Sequence, residues 1–274
     1  MRTRKRQALI RCLLLLLVVS TVDSLYAVNL SREMRISEGL EARVSEGDAI
    51  WLEADSRPFL AIHRESSASV RHGGAILLHD SNTHADWHEV IKPLRRQLAA
   101  RGWVTLSLQL PLGDPATPAN SASLFSLSRP RIQAAIEFLK GQQVEETVLI
   151  GHGLGGAMAM DFMISQGEGI LGLVAIGITS GSEGQEDSVT QALEATQVPI
   201  LDLYGSQDLP GVVESARVRQ TLAARSGRIR YRQERVAGAD HFFSGMQEEL
   251  NSRVAAWLRQ TVRQWKTTRP PSKP

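Results

Sequence analysis

The stretch TVLIGHGLGG at residues 147–156 joins a short apolar run to a turn that contains four glycines. Thr147–Ile150 is predicted to be a buried strand, and the small residues from Gly155 to Ile164 predict a helix that packs closely against it. A strand, a tight turn and a helix in this order are typical of α/β proteins. The stretch therefore predicts an α/β fold with a special turn at the carboxyl end of this strand.

Strands and helices alternate on both sides of this stretch. Short strands at Ala49–Glu53 and Pro58–His63 predict an antiparallel hairpin. Further strands are predicted at Gly74–Leu78, Trp103–Leu108, Leu171–Ile176, Ile200–Tyr204 and Ile229–Val236. Helices are predicted from Val90, from Pro130 after a loop over Pro111–Ser128, near Val189–Ala195 and around Leu250–Leu258. This alternation predicts a mostly parallel sheet with helices on both faces and an antiparallel N-terminal hairpin.

The N-terminus has the layout of an export signal. Basic residues from Arg2 to Arg11 precede the apolar run Cys12–Val19, which is shorter than the about 20 residues that span a bilayer. We expect residues 1–27 to be removed as a signal peptide and the protein to be exported to the periplasm. The alternative is an uncleaved N-terminal anchor, which is the one membrane link that we expect.

The remaining chain divides into three predicted parts. Residues 28–47 are expected to form a peripheral, helical N-terminal segment, residues 48–265 one domain, and residues 266–274 a disordered tail. The whole chain has 31 Lys and Arg against 29 Asp and Glu, and without residues 1–27 the numbers are 26 and 28. The basic excess therefore comes from the leader, and we predict no nucleic-acid partner. The one cysteine, Cys12, also lies in the leader, which excludes a thiol nucleophile in the mature domain.

Polar residues collect where four predicted strands end, which is the edge where parallel sheets carry their functional groups. The four segments are His79-Asp80-Ser81, Gly151-His152-Gly153-Leu154, Gly205-Ser206-Gln207-Asp208 and Gly238-Ala239-Asp240-His241. On these residues the chain resembles the α/β-hydrolase superfamily, from about Asp48 to Gln260. The turn at 151–156 is similar to the G-x-S-x-G nucleophile elbow, with Gly153 in place of the serine.

The resemblance implies a role for each of these segments. Asp208 and His241 correspond to the acid and the histidine of the catalytic triad and follow the elbow in the superfamily's order. Ser81 and Leu154 would supply the oxyanion N–H donors, and His79 and His152 would lie in the crevice. Asp80 stands where relatives have glycine, and its carboxylate would repel a developing oxyanion if the side chain points inward.

A closer resemblance is to an uncharacterised family of exported proteins from Gram-negative bacteria, which carries the glycine-bearing elbow. It is suggested by Leu78-His79-Asp80, by Asp86-Trp87 and by Gly102–Pro111. No activity is implied by this family. It therefore strengthens the predicted fold and leaves the function open.

Gly153 excludes covalent serine catalysis at that position and leaves two functions open. In the first, a degenerate hydrolase binds a small ligand or a protein partner in the former active-site crevice. In the second, the vacant position admits a water that His241, oriented by Asp208, activates to hydrolyse esters, amides or thioesters. Ser81 and Ser244 are the nearest other hydroxyls, and we expect neither to replace the missing one.

Two further features bear on the site. His84 and His88 are four residues apart, as zinc ligands on one helix face are, but the segment lacks the His-Glu-x-x-His order, and polar residues commonly cap a helix start. We predict no metal and no cofactor. About 20 residues separate Ile176 from Val198, so we predict a minimal lid or none.

Overall fold

The computed structural model describes residues 28–113, 121–167, 169–181, 187–227 and 230–264. The predicted signal peptide and the predicted disordered tail lie outside the described residues. Among the residues that are described, no helix combines the length and apolar character needed to cross a membrane.

Within these ranges eight strands form one sheet and seven α-helices surround it. The strands are β1 Asp48–Ala54, β2 Arg57–Arg64, β3 Gly73–Leu78, β4 Trp103–Leu108, β5 Thr147–His152, β6 Ile170–Ile176, β7 Ile200–Gly205 and β8 Tyr231–Val236. The helices are α1 Leu30–Glu41, α2 Ile91–Ala99, α3 Ser121–Gly141, α4 Leu154–Gln166, α5 Ser188–Ala195, α6 Pro210–Arg225 and α7 Gln247–Trp257. A π-helical turn at Leu258–Val262 follows α7.

The strand order across the sheet is β1-β2-β4-β3-β5-β6-β7-β8. β1 pairs with β2 and β2 with β4 in antiparallel fashion, and every other pair is parallel. Because parallel neighbours need crossover connections, helices cover both faces of the sheet. The predicted fold class, a mostly parallel sheet with an antiparallel N-terminal hairpin, is confirmed.

Alternate residues of the central strands feed two separate cores. Ile76 of β3 packs with α3 and α4 residues such as Ile132 on one face. Leu77, its neighbour, packs on the other face with α2 and α7 residues, among them Leu94 and Trp257. The strands β3 to β7 are buried along their whole length. This double-sided burial holds their carboxyl ends in fixed positions.

The helix α3 begins at Ser121, nine residues before Pro130, where the sequence predicted its start. Pro130 lies inside the helix and cannot donate a backbone hydrogen bond there. Leu124 is buried, and Phe125 and Leu127 pack against the same core. Burial of these side chains offsets the lost hydrogen bond. The part of the predicted loop from 121 to 128 is therefore helical.

The connection between β7 and β8 contains α6, which the sequence analysis did not predict. Its buried positions include Val212, Ala216, Arg219 and Ala223, at helical spacing. The connection between β6 and β7 contains the short helix α5, as predicted, and no larger cap in its described part. In its described part, this connection therefore adds only one short helix.

Candidate active site

The sharp turn between β5 and α4 has glycine at its apex. Gly153 has φ 51° and ψ −120° and immediately precedes the first residue of α4. Its N–H donates to the carbonyl of Ile176 at 2.8 Å, which ties the turn to the neighbouring strand β6. Glycine adopts this left-handed backbone at little cost, whereas a side chain there is strained by about 1–3 kcal/mol. β5 and α4 are therefore joined by a sharp turn whose apex carries no side chain.

The space beside Gly153 is filled by the carboxylate of Asp80. A Cβ atom at position 153 would overlap Oδ1 and Cγ of Asp80 and would lie 2.8 Å from its Oδ2. The sequence analysis left room for a water at this position. In the structure that room is taken by Asp80, which follows β3, points inward and reaches the place that a side chain at position 153 would take.

Both predicted oxyanion donors face this carboxylate. The N–H of Leu154 donates to Oδ1 of Asp80 at 2.7 Å, and the backbone N–H of Ser81 helps to lower the pKa of this carboxyl. On the other side, Nε2 of His241 lies 3.1 Å from Oδ2. Burial by itself would raise the pKa of Asp80, but the hydrogen bonds from His241 and from the backbone N–H of Leu154 lower that pKa. Asp80 is therefore an ionised, internally bound carboxylate.

His241 lies between two carboxylates. Its Nδ1 is 2.6 Å from Oδ1 of Asp208, and its Nε2 faces Asp80. Asp208 is held in turn by the backbone N–H groups of Leu209 and Gly205, at 2.8 and 3.2 Å. Burial opposes the charged imidazole, yet the hydrogen bonds with Asp208 and Asp80 raise the pKa of His241 to about 9. At neutral pH this side chain is an imidazolium that donates from both nitrogens.

His152 packs against His241. Its Nε2 lies 2.9 Å from the carbonyl oxygen of His241, and the two ring centroids are 4.6 Å apart. The side chain is fully buried, and the burial lowers the pKa of His152. Its Nδ1 has no hydrogen-bond partner in the described part of the chain. The predicted crevice residue is thus a neutral ring packed against His241.

His79 orders the loop that carries Asp80. Its Nδ1 lies 2.7 Å from the carbonyl oxygen of Asp80, and its Nε2 accepts from the N–H of Leu110 at 3.0 Å. Burial lowers the pKa of His79 to about 4, so the ring is neutral. The hydroxyl of Thr83 donates to the same Asp80 carbonyl at 2.8 Å. His79 therefore fixes the backbone of Asp80 from behind the predicted crevice.

The other serine considered for the site is engaged elsewhere. The hydroxyl of Ser244 donates to Glu89 at 3.0 Å, and its N–H donates to Asp240 at 2.9 Å. Asp240 also accepts from the N–H of Phe242 and so shapes the turn after His241. The catalytic and oxyanion roles inferred from the sequence stay predictions, although the structure brings Gly153, Asp80 and the other named groups together.

In the part of the chain that is described, Asp80, His152 and His241 form a group whose ligand atoms lie within 4.8 Å of one another. Hydrogen bonds account for this close approach, because Asp80 and His241 bind each other and His152 binds a carbonyl. The histidine pair considered from the sequence is not part of the group. His84 and His88 instead contact the ring of Trp87, at 5.4 and 5.1 Å between centroids.

Solved structures with the same fold are α/β hydrolases. Est1E from Butyrivibrio proteoclasticus, with ferulic acid bound, is 13% identical and superposes with a TM-score of 0.64 over 78% of this chain and 100% of its own. XC6422 from Xanthomonas campestris, a serine hydrolase without a lid, is 18% identical, with a TM-score of 0.59 and coverages of 85% and 99%. A putative dienelactone hydrolase from Klebsiella pneumoniae is 16% identical, with a TM-score of 0.62 and coverages of 77% and 97%.

At these identities the likeness establishes the fold alone. Comparison with curated proteins gives no match. The profile of the family described as "Protein of unknown function (DUF3530)" matches residues 26–128 and 125–260, which is most of the chain. The chain therefore belongs to this uncharacterised family and has the α/β-hydrolase fold, as both resemblances in its sequence implied.

Proposed function

We propose that this protein is a non-hydrolytic member of its fold that binds a small ligand in the crevice around Asp80 and His241. The observation that carries the proposal is the Asp80 carboxylate in the space of a nucleophile side chain. That one carboxylate accepts hydrogen bonds from the predicted oxyanion donor Leu154 and from His241. The basic and apolar N-terminus supports the periplasm as the place where the protein acts.

Covalent hydrolysis has no support in this arrangement. Gly153 offers no hydroxyl, and an acyl substrate would need to place its carbonyl oxygen where Oδ1 of Asp80 already accepts from Leu154. An ionised carboxylate at that place also repels the negative charge that develops in acyl transfer. The site is complementary to a bound carboxylate rather than to a reacting ester.

Direct activation of water by His241 is also disfavoured. A general base must be unprotonated at the working pH and must have its proton donor within reach. The two carboxylates raise the pKa of His241 to about 9, and its Nε2 is directed at Asp80. The space that the water would occupy holds the Asp80 carboxylate, so the binding function is better supported.

The test compares four proteins: wild type, Gly153→Ser, Asp80→Gly and the double variant Gly153→Ser/Asp80→Gly. Each is assayed with short-chain nitrophenyl esters and with a fluorophosphonate probe that labels activated serines. We expect no turnover and no labelling in the wild type or in Asp80→Gly, because both lack a hydroxyl at 153, or in Gly153→Ser, because Asp80 overlaps the new side chain. The double variant, with the hydroxyl present and the carboxylate removed, is expected to be labelled.

One control tests whether labelling of the double variant depends on His241. Adding His241→Gln to the double variant should abolish its labelling, because the serine would lose its base. Ester turnover by the wild type that disappears in His241→Gln would refute the proposal. Labelling of Gly153→Ser as strong as that of the double variant would show that Asp80 does not block the site.

A further inference from the structure

Three donors converge on the Asp80 carboxylate. The N–H of Leu154 binds Oδ1 and Nε2 of His241 lies against Oδ2, so both carboxylate oxygens are engaged; the neighbouring N–H of Ser81 helps to lower the pKa of the carboxyl. The Asp80 residue is 8% exposed, so the bound group lies just beneath the surface. Beyond its Cα, an aspartate side chain is chemically an acetate group. The structure therefore contains a set of donors, here called the receptor, that binds an acetate-like group belonging to the protein's own chain.

The donors are held by contacts that do not involve this carboxylate. The carbonyl of Asp80 is fixed by His79 and Thr83, which sets the direction of the next N–H, that of Ser81. His241 is fixed by Asp208. Leu154 is the first residue of α4, a helix of 13 residues whose N-terminus favours a negative charge. The receptor should therefore persist when the Asp80 side chain moves away or is removed.

The charges of the receptor suit a monoanion. Without the Asp80 side chain, the His241 imidazolium and the Asp208 carboxylate balance each other and leave the two N–H groups as unpaired donors. A planar carboxylate uses these donors with one negative charge and two oxygens. A tetrahedral dianion such as phosphate brings a second charge and further oxygens, for which none of the three donors is available.

Resting on the function proposed above, we propose that the ligand of this crevice is a small organic acid, whose carboxylate replaces that of Asp80 on the three donors. Asp80 is then a built-in competitor that keeps the receptor satisfied while no ligand is bound. Rotation of its side chain moves one carboxylate toward solvent as another enters. Because a tethered group occupies the site most of the time, the apparent affinity for a free acid is reduced in proportion.

The experiment measures binding of ¹³C-labelled acetate by NMR, and of acetate, propionate and butyrate by thermal shift, at constant ionic strength. The full chain is compared as wild type, Asp80→Gly and Asp80→Ala. We expect saturable binding in all three, at least about ten-fold tighter in the two variants, because the internal competitor is gone. The His241 ring signals of the wild type should shift as acetate replaces Asp80.

Three controls complete the design. Asp48→Ala removes an exposed carboxylate at the start of β1 and should bind acetate as the wild type does. His241→Gln in the Asp80→Gly background should lose most of the binding. Phosphate should bind the variants much more weakly than acetate.

Several outcomes would overturn the inference. One is a folded Asp80→Gly or Asp80→Ala protein that binds none of the three acids, and another is phosphate binding as tight as acetate binding. Carboxylate binding by the variants with none by the wild type would make Asp80 a permanent occupant and also defeat it. Ester turnover, measured on the same wild-type preparation, would instead refute the proposed function and leave the acetate result to be judged separately.

Discussion

Two buried carboxylates in this protein each bind a cation, and they differ in what the cation can do. Asp202 in β7 is paired with Arg219 of α6, with Nε at 2.7 Å, and both side chains are fully buried. Asp80 is paired with His241 at the carboxyl edge of the sheet, and both are about a tenth exposed. The first pair lies inside the packed β7-α6-β8 layer, and the second lies just beneath the surface, at the carboxyl ends of the strands.

The two ion pairs differ in whether their charges can change. The Arg219 guanidinium is permanently charged, and Tyr231 and Gln233 also donate to Asp202, so this pair has no second state. The His241 imidazolium can lose its proton, and the Asp80 carboxylate has a short path to solvent. We therefore expect the inner pair to be required for folding and the outer pair to be exchangeable.

Removing Asp202 should have the largest effect on stability. Asp202→Ala leaves Arg219 buried and unpaired, which typically costs about 3–5 kcal/mol in the free energy of unfolding. Urea denaturation followed by far-UV circular dichroism measures it. Asp202→Leu combined with Arg219→Met removes both charges and should recover most of the loss. A cost below about 1 kcal/mol for the single variant would break the comparison, since buried unpaired charges are far more costly.

Gly153→Ala should come next. The new Cβ overlaps Asp80. The alanine must also keep the positive φ of Gly153, which by itself costs about 1–3 kcal/mol. Asp80→Gly in the same chain removes the overlap but not the backbone strain, so the cost should fall in that background. The free energies of unfolding of the four proteins form a double-mutant cycle. An equal cost of Gly153→Ala in both backgrounds would show that the two positions do not interact.

Asp80→Asn should have a smaller, pH-dependent effect of about 1.5 kcal/mol, the size of one charged hydrogen bond. The folded-state pKa of His241 is raised to about 9. Its contribution is therefore complete below its ordinary pKa of about 6.5 and is lost as the pH rises through about 9. The pKa of Asp80 is lowered, so its contribution is lost only as the pH falls below about 4.

The stability difference between wild type and Asp80→Asn should accordingly be largest between about pH 4 and 6.5 and should vanish above about pH 9. NMR titration should show the pKa of His241 lower in the variant than in the wild type, because one of its two anionic partners is gone. The variant Asp48→Asn should leave that pKa unchanged. A constant stability difference from pH 5 to 10 would argue against the ion pair.

Arg253→Ala should have the smallest effect and calibrates the others. Arg253 on α7 pairs with Glu249 and with Glu234 of β8, but its side chain is 36% exposed. Exposed ion pairs contribute about 0–1 kcal/mol, so thermal and urea unfolding should change little. Arg253→Gln, which keeps most of the side chain, should be closer still to the wild type. A loss comparable to that of Asp202→Ala would show that burial does not decide how much an ion pair contributes to the stability of this protein.

The fold and the order of the site residues could be predicted because both follow from local patterns. Apolar runs of about six residues, each followed by a polar turn, indicated the strands and the edge where their ends meet. The elbow glycines and the chain order of Asp208 and His241 placed these residues on the correct strand ends. Their distance of 2.6 Å follows once parallel pairing has put β7 and β8 side by side.

The rest depended on long-range packing. The direction of the Asp80 side chain is set by Leu154 and His241, which are far away in the chain, and no local pattern reports it. The helix α6 was missed because its buried face contains alanines and Arg219 rather than large apolar residues. The first half of α3 was missed because Pro130 was interpreted as the start of the helix, although Leu124 and Phe125 already indicated a buried face.

The close approach of Asp80 to position 153 also bears on how such a site changes over generations. A serine at 153 would be obstructed while Asp80 is present, and a glycine at 80 brings no nucleophile by itself. We therefore expect the two positions to be epistatic, because neither substitution toward a serine hydrolase brings activity without the other. A lineage that carries both Gly153 and Asp80 must change two codons before selection for hydrolysis can act, so reversal to a serine hydrolase is hindered.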